Sequence, residues 1–230
     1  MALARWKDLC IDVADPARAA AFWALALGLR AEPRGDDLTK LAGDPPERVV
    51  WLNRVPEPKT GKSRAHLDLV LAAAEVDALL AAGGARVAEH GERGLRWDVL
   101  ADPGGVELCA FAPVQDAAPA VPTALVVDSL DPVADAAWWA GVLGAQVVEG
   151  PDGRPRWLSA VPGLPWDVWK FVPVDDARTG KNRVHWDVWC DDLDALLERG
   201  ARVLPGYPGD EHWRVLADPA GNEFCAAVPR

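Results

Sequence analysis

The sequence predicts an α+β fold built from four βαβββ modules, which are arranged as two tandem halves. Three observations support this prediction. Segments of the first half return in the second at a nearly constant spacing, short strands alternate with helices, and a proline-containing segment separates the halves. Repetition at a fixed interval is typical of duplicated structural units. A chain of 230 residues is long enough for two domains of ordinary size.

The internal repeat is visible in short matching segments. Trp23 and Trp139 lie 116 residues apart, and the same interval separates the two copies of VLADP at 99–103 and 215–219. Between these points KTGKSRAHLD at 59–68 matches RTGKNRVHWD at 178–187, where an insertion of three residues lengthens the interval to 119. The segment 112–122 contains three prolines. We therefore predict one domain over 1–113, a linker over 114–121 and a second domain over 122–230.

Each long helix is predicted to begin and end at recognisable residues. Asp15 is a good N-cap, Pro16 suits the first helical position and Gly28 suits the C-terminal end. The second half repeats this design with Asp131 and Gly144. In the first half a shorter helix is expected near 75–82, and strands are expected near 7–13, 38–42, 48–55, 66–70, 96–101 and 106–112.

Composition excludes several classes of function. Lysine and arginine total 24 against 35 aspartates and glutamates, and the resulting net charge of −11 argues against a nucleic-acid-binding surface. No stretch approaches the ~18 apolar residues of a membrane span, and no signal-peptide core follows Met1, so we expect a cytoplasmic protein. Four cysteines without a CxxC pair fit neither a disulfide scaffold nor a zinc ribbon.

Four motifs, together with the order of elements, carry a family resemblance: HLD at 66–68, HWD at 185–187, DPGGVE at 102–107 and DPAGNEFC at 218–225. On these the chain resembles the vicinal oxygen chelate superfamily, which includes glyoxalase I, bleomycin-resistance proteins, fosfomycin-resistance enzymes and extradiol dioxygenases. The likeness covers roughly 5–113 and 121–229 and is closest to glyoxalase-like domains. It implies curled mixed sheets that enclose small-molecule clefts, with metal ligands on inward-facing strand positions.

Carried over residue by residue, the resemblance implies two pairs of metal ligands. His66 and His185 take the family's fifth-strand position in the first and second halves, and Glu107 and Glu223 take its eighth-strand position. Imidazole nitrogen and carboxylate oxygen are apt donors for a divalent ion. We expect one divalent ion, which would be zinc, nickel, manganese or iron, or none. A glutamate near the ion would move a proton as a general base, so Glu107 and Glu223 are also the candidate catalytic residues.

The remaining ligand positions depart from the family pattern. The first-strand position falls on Asp8 and Ala124, and the fourth-strand position falls near Asn53 and Lys170. The sequence leaves open whether modules pair within halves or across them. The better ligand set would be Asp8, Asn53, His66 and Glu107 in the first case, and Asp8, Asn53, His185 and Glu223 in the second. Either way one cleft could hold a metal and the other could not.

Alternate residues along a strand share a face, which places further side chains in the clefts. By this rule Asp68 accompanies His66, Asp187 accompanies His185, and Cys10, Cys109 and Cys225 face the clefts as well. Twelve tryptophans indicate aromatic walls suited to a flat, neutral or cationic ligand. The expected ligand-contacting residues are Trp51, Asp68, Trp97, Trp169, Asp187, Trp189 and Trp213, whereas Trp23 and Trp139 are expected in the core.

Two functions lead from this sequence. The first is metal-assisted isomerase or lyase chemistry on a substrate with adjacent oxygens. The alternative is a metal-free protein, similar to bleomycin-resistance proteins, that sequesters an aromatic small molecule; a scaffold with vestigial sites is a third interpretation. The chain is expected to be a monomer whose halves mimic a dimer, or a homodimer.

One further motif, GKS at 61–63, ends like a phosphate-binding loop. The glycine which that motif requires five residues earlier is replaced by Pro56, and the second copy at 180–182 has asparagine in place of the hydroxyl residue. We therefore interpret both copies as basic turns that lead into the histidine strands.

Overall fold

The computed structural model describes residues 2–44, 48–113, 123–207, 209 and 212–229. Within them the chain forms sixteen strands and four α-helices, in four successive βαβββ modules. The predicted linker at 114–121 lies outside the described residues. The described helices include none that is long and apolar enough to cross a membrane.

The first half contains modules one and two. Module one consists of β1 (Ala4–Val13), α1 (Pro16–Leu27), β2 (Arg30–Pro33), β3 (Leu38–Ala42) and β4 (Val49–Arg54). Module two consists of β5 (Ala65–Val70), α2 (Ala73–Ala81), β6 (Ala85–Ala88), β7 (Asp98–Ala101) and β8 (Glu107–Phe111), with a short 3-10 helix at Glu92–Gly94.

The second half contains modules three and four. Module three consists of β9 (Ala124–Ser129), α3 (Pro132–Leu143), β10 (Gln146–Glu149), β11 (Pro155–Ser159) and β12 (Val168–Pro173). Module four consists of β13 (Val184–Cys190), α4 (Leu193–Glu198), β14 (Arg202–Val203), β15 (Trp213–Ala217) and β16 (Glu223–Ala227).

The strands form two mixed sheets of eight. One has the order β14-β15-β16-β13-β1-β4-β3-β2, and the other has the order β10-β11-β12-β9-β5-β8-β7-β6. Modules one and four therefore share the first sheet, and modules two and three share the second. The α+β class and mixed sheets predicted from the sequence are confirmed. The open question of pairing is answered as well, because each sheet joins one module from each half.

Antiparallel seams connect the halves. In the first sheet β1 pairs with β13, which places Cys10 opposite His185 and Asp8 opposite Asp187. In the second sheet β5 pairs with β9, which places Asp68 opposite Ala124. The candidate ligands of one cleft therefore come from both halves of the chain.

Helices α1 and α3 pack against the sheets and contribute to the hydrophobic core. Their ends have the capping residues that the sequence predicted. The Asp15 side chain accepts a hydrogen bond from the Arg18 amide, and Gly28 ends α1 with a positive φ of 63°. Trp23 and Trp139 are fully buried on these helices, as expected. Their burial ties the helices to the hydrophobic core of the sheets.

Two strands of the first half, β2 and β6, were missed from the sequence, and β10 and β14 are their counterparts in the second half. All four lie at the outer edges of the sheets. They are short, and most of their residues are exposed. An exposed edge strand has no buried face, so it lacks the alternation of apolar and polar residues by which strands are recognised.

Candidate functional site

The first cleft is a cavity of about 430 Å³ on the sheet formed by modules one and four. Its walls come from β1, β4, β13, β15 and β16, so both halves contribute. The lining includes Lys7, Cys10, Asp12, Trp51, Asn53, His185, Asp187, Trp213, Glu223 and Cys225. The second cleft is the corresponding face of the other sheet, around His66, Asp68, Cys109 and Lys170.

A β-bulge places a lysine in the first cleft. In the ladder between β1 and β13, Trp6 lies opposite Val188 and Asp8 lies opposite Asp187, so Lys7 is the extra residue. Its Nζ lies 2.7 Å from Asp8 Oδ2 and 3.3 Å from Asp187 Oδ2. The cleft therefore holds a built-in ammonium group between two carboxylates.

The charges around this ammonium shift one another's pKa values. Burial and the neighbouring Asp187 raise the pKa of Asp8 to about 6, although Lys7 and a hydrogen bond from Trp51 act in the opposite direction. That hydrogen bond joins Trp51 Nε1 to Asp8 Oδ2 at 3.1 Å. For Lys7, burial lowers the pKa, but the attraction of Asp187 and Asp8 outweighs burial and the pKa is raised. Lys7 is therefore charged at neutral pH.

Three potential metal ligands meet in the first cleft. Single donor atoms of Cys10, His185 and Asp187 lie within 4.8 Å of one another. The Cys10 thiol donates to Asp187 Oδ1 at 3.5 Å. Burial and the charges of Asp187 and Asp8 raise the pKa of this thiol well above its usual value. His185 Nδ1 is buried and has no hydrogen-bond partner among the described residues.

The second cleft repeats this group with His66, Asp68 and Cys109, whose donor atoms also lie within 4.8 Å. Lys170 Nζ lies 2.9 Å from Asp68 Oδ2, and both side chains are buried. The same Nζ lies 5.0 Å from the centroid of the Trp157 ring. Burial lowers the pKa of His66, which favours the neutral imidazole. A lysine ammonium thus occupies the polar centre of this cleft as well.

The predicted catalytic glutamates lie outside both donor groups. Both carboxylate oxygens of Glu223 accept from Arg178 Nη1, at 2.7 and 2.9 Å. Glu107 accepts from the Ser63 amide and from Lys59 Nζ, the latter at 3.5 Å. The structure therefore gathers Asp8, His185 and Asp187 as the sequence suggested, with Cys10 added, and ties the glutamates to loop cations. Alternate spacing placed Cys10 on the right face, but its closeness to Asp187 depends on the long-range register of β1 and β13.

Trp51 and Trp213 line the first cleft, as expected from the sequence. The ring of Trp189 lies beside it, with Lys7 Nζ 5.2 Å from its centroid. On the second sheet, the ring of Trp97 packs against that of Phe111 on β8, with ring centroids 5.0 Å apart. The indoles that line the first cleft therefore come from β4 and β15.

Trp169 is a core residue, which corrects the expectation that it contacts a ligand. Its side chain is fully buried, and its ring lies 5.0 Å from Trp139 and 4.7 Å from Trp186. Alternation along β12 explains this position. Since Lys170 points toward Asp68 in the second cleft, its neighbour Trp169 points to the opposite face.

The structure also changes which residue of the first half corresponds to Lys170. Trp51 on β4 is the ladder partner of Cys10, and Lys170 on β12 is the ladder partner of Val126. Cys10 and Val126 are themselves 116 residues apart. Lys170 therefore corresponds to Trp51, and not to Asn53 as the sequence alignment had it. The two clefts differ by an indole in one and an ammonium in the other.

Nitrogen, sulfur and oxygen donors suit a zinc-like ion in kind. The arrangement of charge does not suit a resident metal, because the carboxylate of each donor group already bonds to a lysine ammonium. The glutamates that the family pattern assigns to the metal are bonded to Arg178 and Lys59. In each donor group a cation of the protein itself is therefore already paired with the carboxylate.

Two mixed sheets assembled from paired βαβββ modules, each with a buried histidine, aspartate and cysteine grouped on one face, give this chain a fold of the vicinal oxygen chelate class. The sequence profile of the glyoxalase-like domain matches twice, at residues 8–111 and 124–227. The chain therefore belongs to the glyoxalase-like domain family. No curated protein sequence matches it significantly.

Solved structures agree on the fold. Glyoxalase I from Zea mays is 14% identical with a TM-score of 0.64, covering 98% of this chain and 92% of its own. A protein from Bacillus subtilis assigned as a dioxygenase is 14% identical with a TM-score of 0.61, covering 99% and 86%. The cppA protein of Streptococcus pneumoniae is 10% identical with a TM-score of 0.51, covering 98% and 100%. At these identities the likeness concerns the fold alone.

Proposed function

We propose that this protein binds a small, flat molecule, neutral or cationic, in the first cleft without a metal ion. The observation that carries the proposal is the Lys7 ammonium, which lies between Asp8 and Asp187 inside a cavity with tryptophan walls. In this arrangement a side chain supplies the positive charge that a metal ion would otherwise bring.

The shape and lining of the cavity favour a flat ligand. A volume of about 430 Å³ lies within the range of small-molecule sites. The indoles of Trp51 and Trp213 offer faces for stacking and for cation–π contacts. Edges of the ligand that carry N–H groups would meet carboxylate acceptors, since Asp12, Asp187 and Glu223 line the cavity.

The charge of the lining favours a neutral or cationic ligand over an anion. Three carboxylates, Asp12, Asp187 and Glu223, line the cavity together with Lys7 and Lys181, and a fourth carboxylate, Asp8, pairs with Lys7 beside it. Arg178 neutralises Glu223 from outside the cavity. The charged groups of the cavity therefore have a small excess of negative charge.

The second cleft is not the proposed site. Lys170 occupies the position of Trp51 there, and its ammonium fills the space beside Asp68 and Trp157. A ligand would have to displace a buried ion pair, which costs several kcal/mol by order of magnitude.

Isothermal titration calorimetry with planar probes tests the proposal. The probes are acriflavine as a cation, lumichrome as a neutral molecule and anthraquinone-2-sulfonate as an anion. We expect one molecule of a cationic or neutral probe per chain, with affinity unchanged by EDTA. Trp51→Leu should weaken binding at least tenfold, whereas Trp157→Leu, the matched change in the second cleft, should leave it unchanged. Binding by none of the probes, or binding that requires a divalent ion, would overturn the proposal.

Metal-assisted isomerase or lyase chemistry is the second candidate, and the grouping of Cys10, His185 and Asp187 favours it. Elemental analysis of protein purified without chelator tests it directly. About one equivalent of zinc, nickel, manganese or iron, lost in His185→Ala and kept in His66→Ala, would support this candidate against the metal-free one. Absence of metal after incubation with each ion would remove it.

A further inference from the structure

We propose that a separate cavity between two repeated loops binds an anion bearing two or more phosphate groups. This inter-loop cavity has a volume of about 580 Å³ and is lined by residues 57–64 and 176–183. The loops are the two copies of the basic turn that precedes the histidine strands, KTGKSR at 59–64 and RTGKNR at 178–183. They face each other across the junction of the two halves.

The lining is positively charged in a chain whose net charge is −11. Two acidic residues, Glu57 and Asp176, belong to the lining, and both are exposed. Six basic residues belong to it: Lys59, Lys62, Arg64, Arg178, Lys181 and Arg183. Such a concentration of cations within one cavity is the electrostatic pattern expected of an anion site.

Carboxylates on the strands hold several of these cations in place from outside the cavity. Lys62 Nζ lies 2.8 Å from Asp128 Oδ2, and Lys181 Nζ lies 2.5 Å from Asp12 Oδ2. Neither aspartate lines the inter-loop cavity. An ammonium carries three N–H donors, so Lys62, with one carboxylate contact, keeps donors for a second anion. Lys181 also lies near a second carboxylate, with Nζ 3.6 Å from Glu57 Oε1, which leaves it one donor.

Arg183 gives the most specific indication. Its side chain is more than nine-tenths buried, and Nη2 donates to the backbone oxygen of Glu57. In the described part of the chain no carboxylate lies within ion-pair distance of this guanidinium. Its repeat counterpart Arg64 is different, because it pairs with both Asp128 and Asp176. A buried charge without a counterion is costly, and a bound anion would remove that cost.

The geometry favours a multivalent phosphate compound over a single small anion. The cavity is much larger than one phosphate group, and cations approach it from both loops. Guanidinium groups match phosphate oxygens with two parallel hydrogen bonds, and lysines add point charges. The first cleft has the opposite charge preference, so the two cavities would take different ligands, although Lys181 lines both.

Calorimetry of the full chain with pyrophosphate, in buffer of low ionic strength and free of divalent metal, tests this proposal. We expect one pyrophosphate per chain, with affinity that falls as salt is added. Inorganic phosphate and sulfate should bind at least tenfold more weakly. Arg183→Met should reduce pyrophosphate affinity at least tenfold, and Lys62→Met should reduce it several-fold. Arg86→Met is the matched control, because Arg86 pairs with Asp98 on another face and should not affect binding.

Lys62 keeps the test decisive if Arg183→Met fails to fold, since its side chain is 59% exposed. The proposal is overturned by pyrophosphate failing to bind at millimolar concentration, or by binding that Lys62→Met leaves unchanged. It is equally overturned if Arg86→Met weakens binding as much as the cavity variants do. None of these outcomes depends on the first cleft, whose expected ligands are cationic or neutral.

Discussion

Lys170 and Trp157 form a cation–π pair in the second cleft, with Nζ 5.0 Å from the ring centroid. They are ladder partners on β12 and β11. The corresponding partners in the first sheet are Trp51 on β4 and Lys40 on β3, where Nζ lies 6.0 Å from the ring. The two positions have exchanged residue types between the sheets. Because the lysine is on the inner strand only in the second cleft, only there does it reach Asp68.

This exchange predicts different costs for removing the two lysines. Lys170→Met leaves Asp68 as a buried carboxylate without its ammonium, so we expect a loss of about 2–4 kcal/mol in the free energy of unfolding. Lys40→Met removes a half-buried cation–π contact and should cost less than about 1 kcal/mol. Urea unfolding monitored by circular dichroism measures both values. A second change, Asp68→Asn, should restore much of the stability lost in Lys170→Met; equal stability of the two lysine variants would contradict the assignment.

A buried hydrogen bond recurs in both halves and predicts a second stability effect. Trp23 Nε1 donates to Asp102 Oδ2 at 2.9 Å, and Trp139 Nε1 donates to Asp218 Oδ2 at the same distance. Trp139→Phe should destabilise the fold by about 2–4 kcal/mol, because it shrinks a core side chain and leaves a buried carboxylate with one donor fewer.

Trp166→Phe separates the two contributions. Trp166 is buried, but its Nε1 has no hydrogen-bond partner among the described residues. Its replacement therefore removes volume without removing a hydrogen bond. We expect it to cost clearly less than Trp139→Phe in the same urea experiment, and an equal cost would mean that the hydrogen bond contributes nothing measurable.

Asp135 predicts a dependence of stability on pH. Burial raises its pKa from the usual 3.8 to about 6, although Ser129 Oγ donates to it at 2.6 Å. The folded state therefore holds this proton more tightly than the unfolded chain. The associated stabilisation is complete below about pH 4 and is lost as the pH rises through 6. Asp135→Asn keeps an acceptor for Ser129 and removes the charge.

We expect Asp135→Asn to be more stable than the parent by about 1–2 kcal/mol at pH 7.5, and the difference to shrink toward zero near pH 4. Urea titrations at a series of pH values give this curve. Asp77→Asn, at an exposed position on α2, serves as the control and should show no such trend. A constant difference across the pH range would contradict the raised pKa.

The seams between the halves predict that the chain survives cleavage at its centre. Seven residue pairs join β1 to β13, and four join β5 to β9. A protease site inserted within 114–121 and then cut should leave both halves in one complex. Size-exclusion chromatography and circular dichroism should match those of the uncut chain under native conditions, and separation should require denaturant. Halves that elute apart as folded units would contradict the sheet order.

Local features of the fold could be predicted from the sequence. Asp15, Pro16 and Gly28 act within a few residues, and their capping roles follow from local backbone chemistry. The repeat gave the two halves, because duplicated units preserve their spacing. The resemblance then supplied mixed sheets and clefts, and the structure has both the sheets and a cavity.

The missed features depend on distant parts of the chain. The bulge at Lys7 arises only where β1 meets β13, some 180 residues later. The core position of Trp169 follows from the pairing of β12 with β9. Trp169 and Lys170 are neighbours on β12, and the sequence alone does not show which of them points into the core. The predicted glutamates pair with cations on loops, and no local pattern specifies the positions of these loops. The sequence identified candidate side chains, but it did not identify the residues that pair with them across each seam.

The assembly of each sheet from both halves has a consequence for how the two clefts can diverge. In a symmetric pair of identical subunits, every substitution is made twice and alters both clefts alike. In this fused chain Trp51 belongs to one cleft and Lys170 to the other, so each can change alone. One cleft can then be filled by a buried ion pair, as with Lys170 and Asp68, while the other keeps an open cavity. Covalent joining of the halves thus allows corresponding positions of the two sheets to carry different residues, an indole in one and an ammonium in the other.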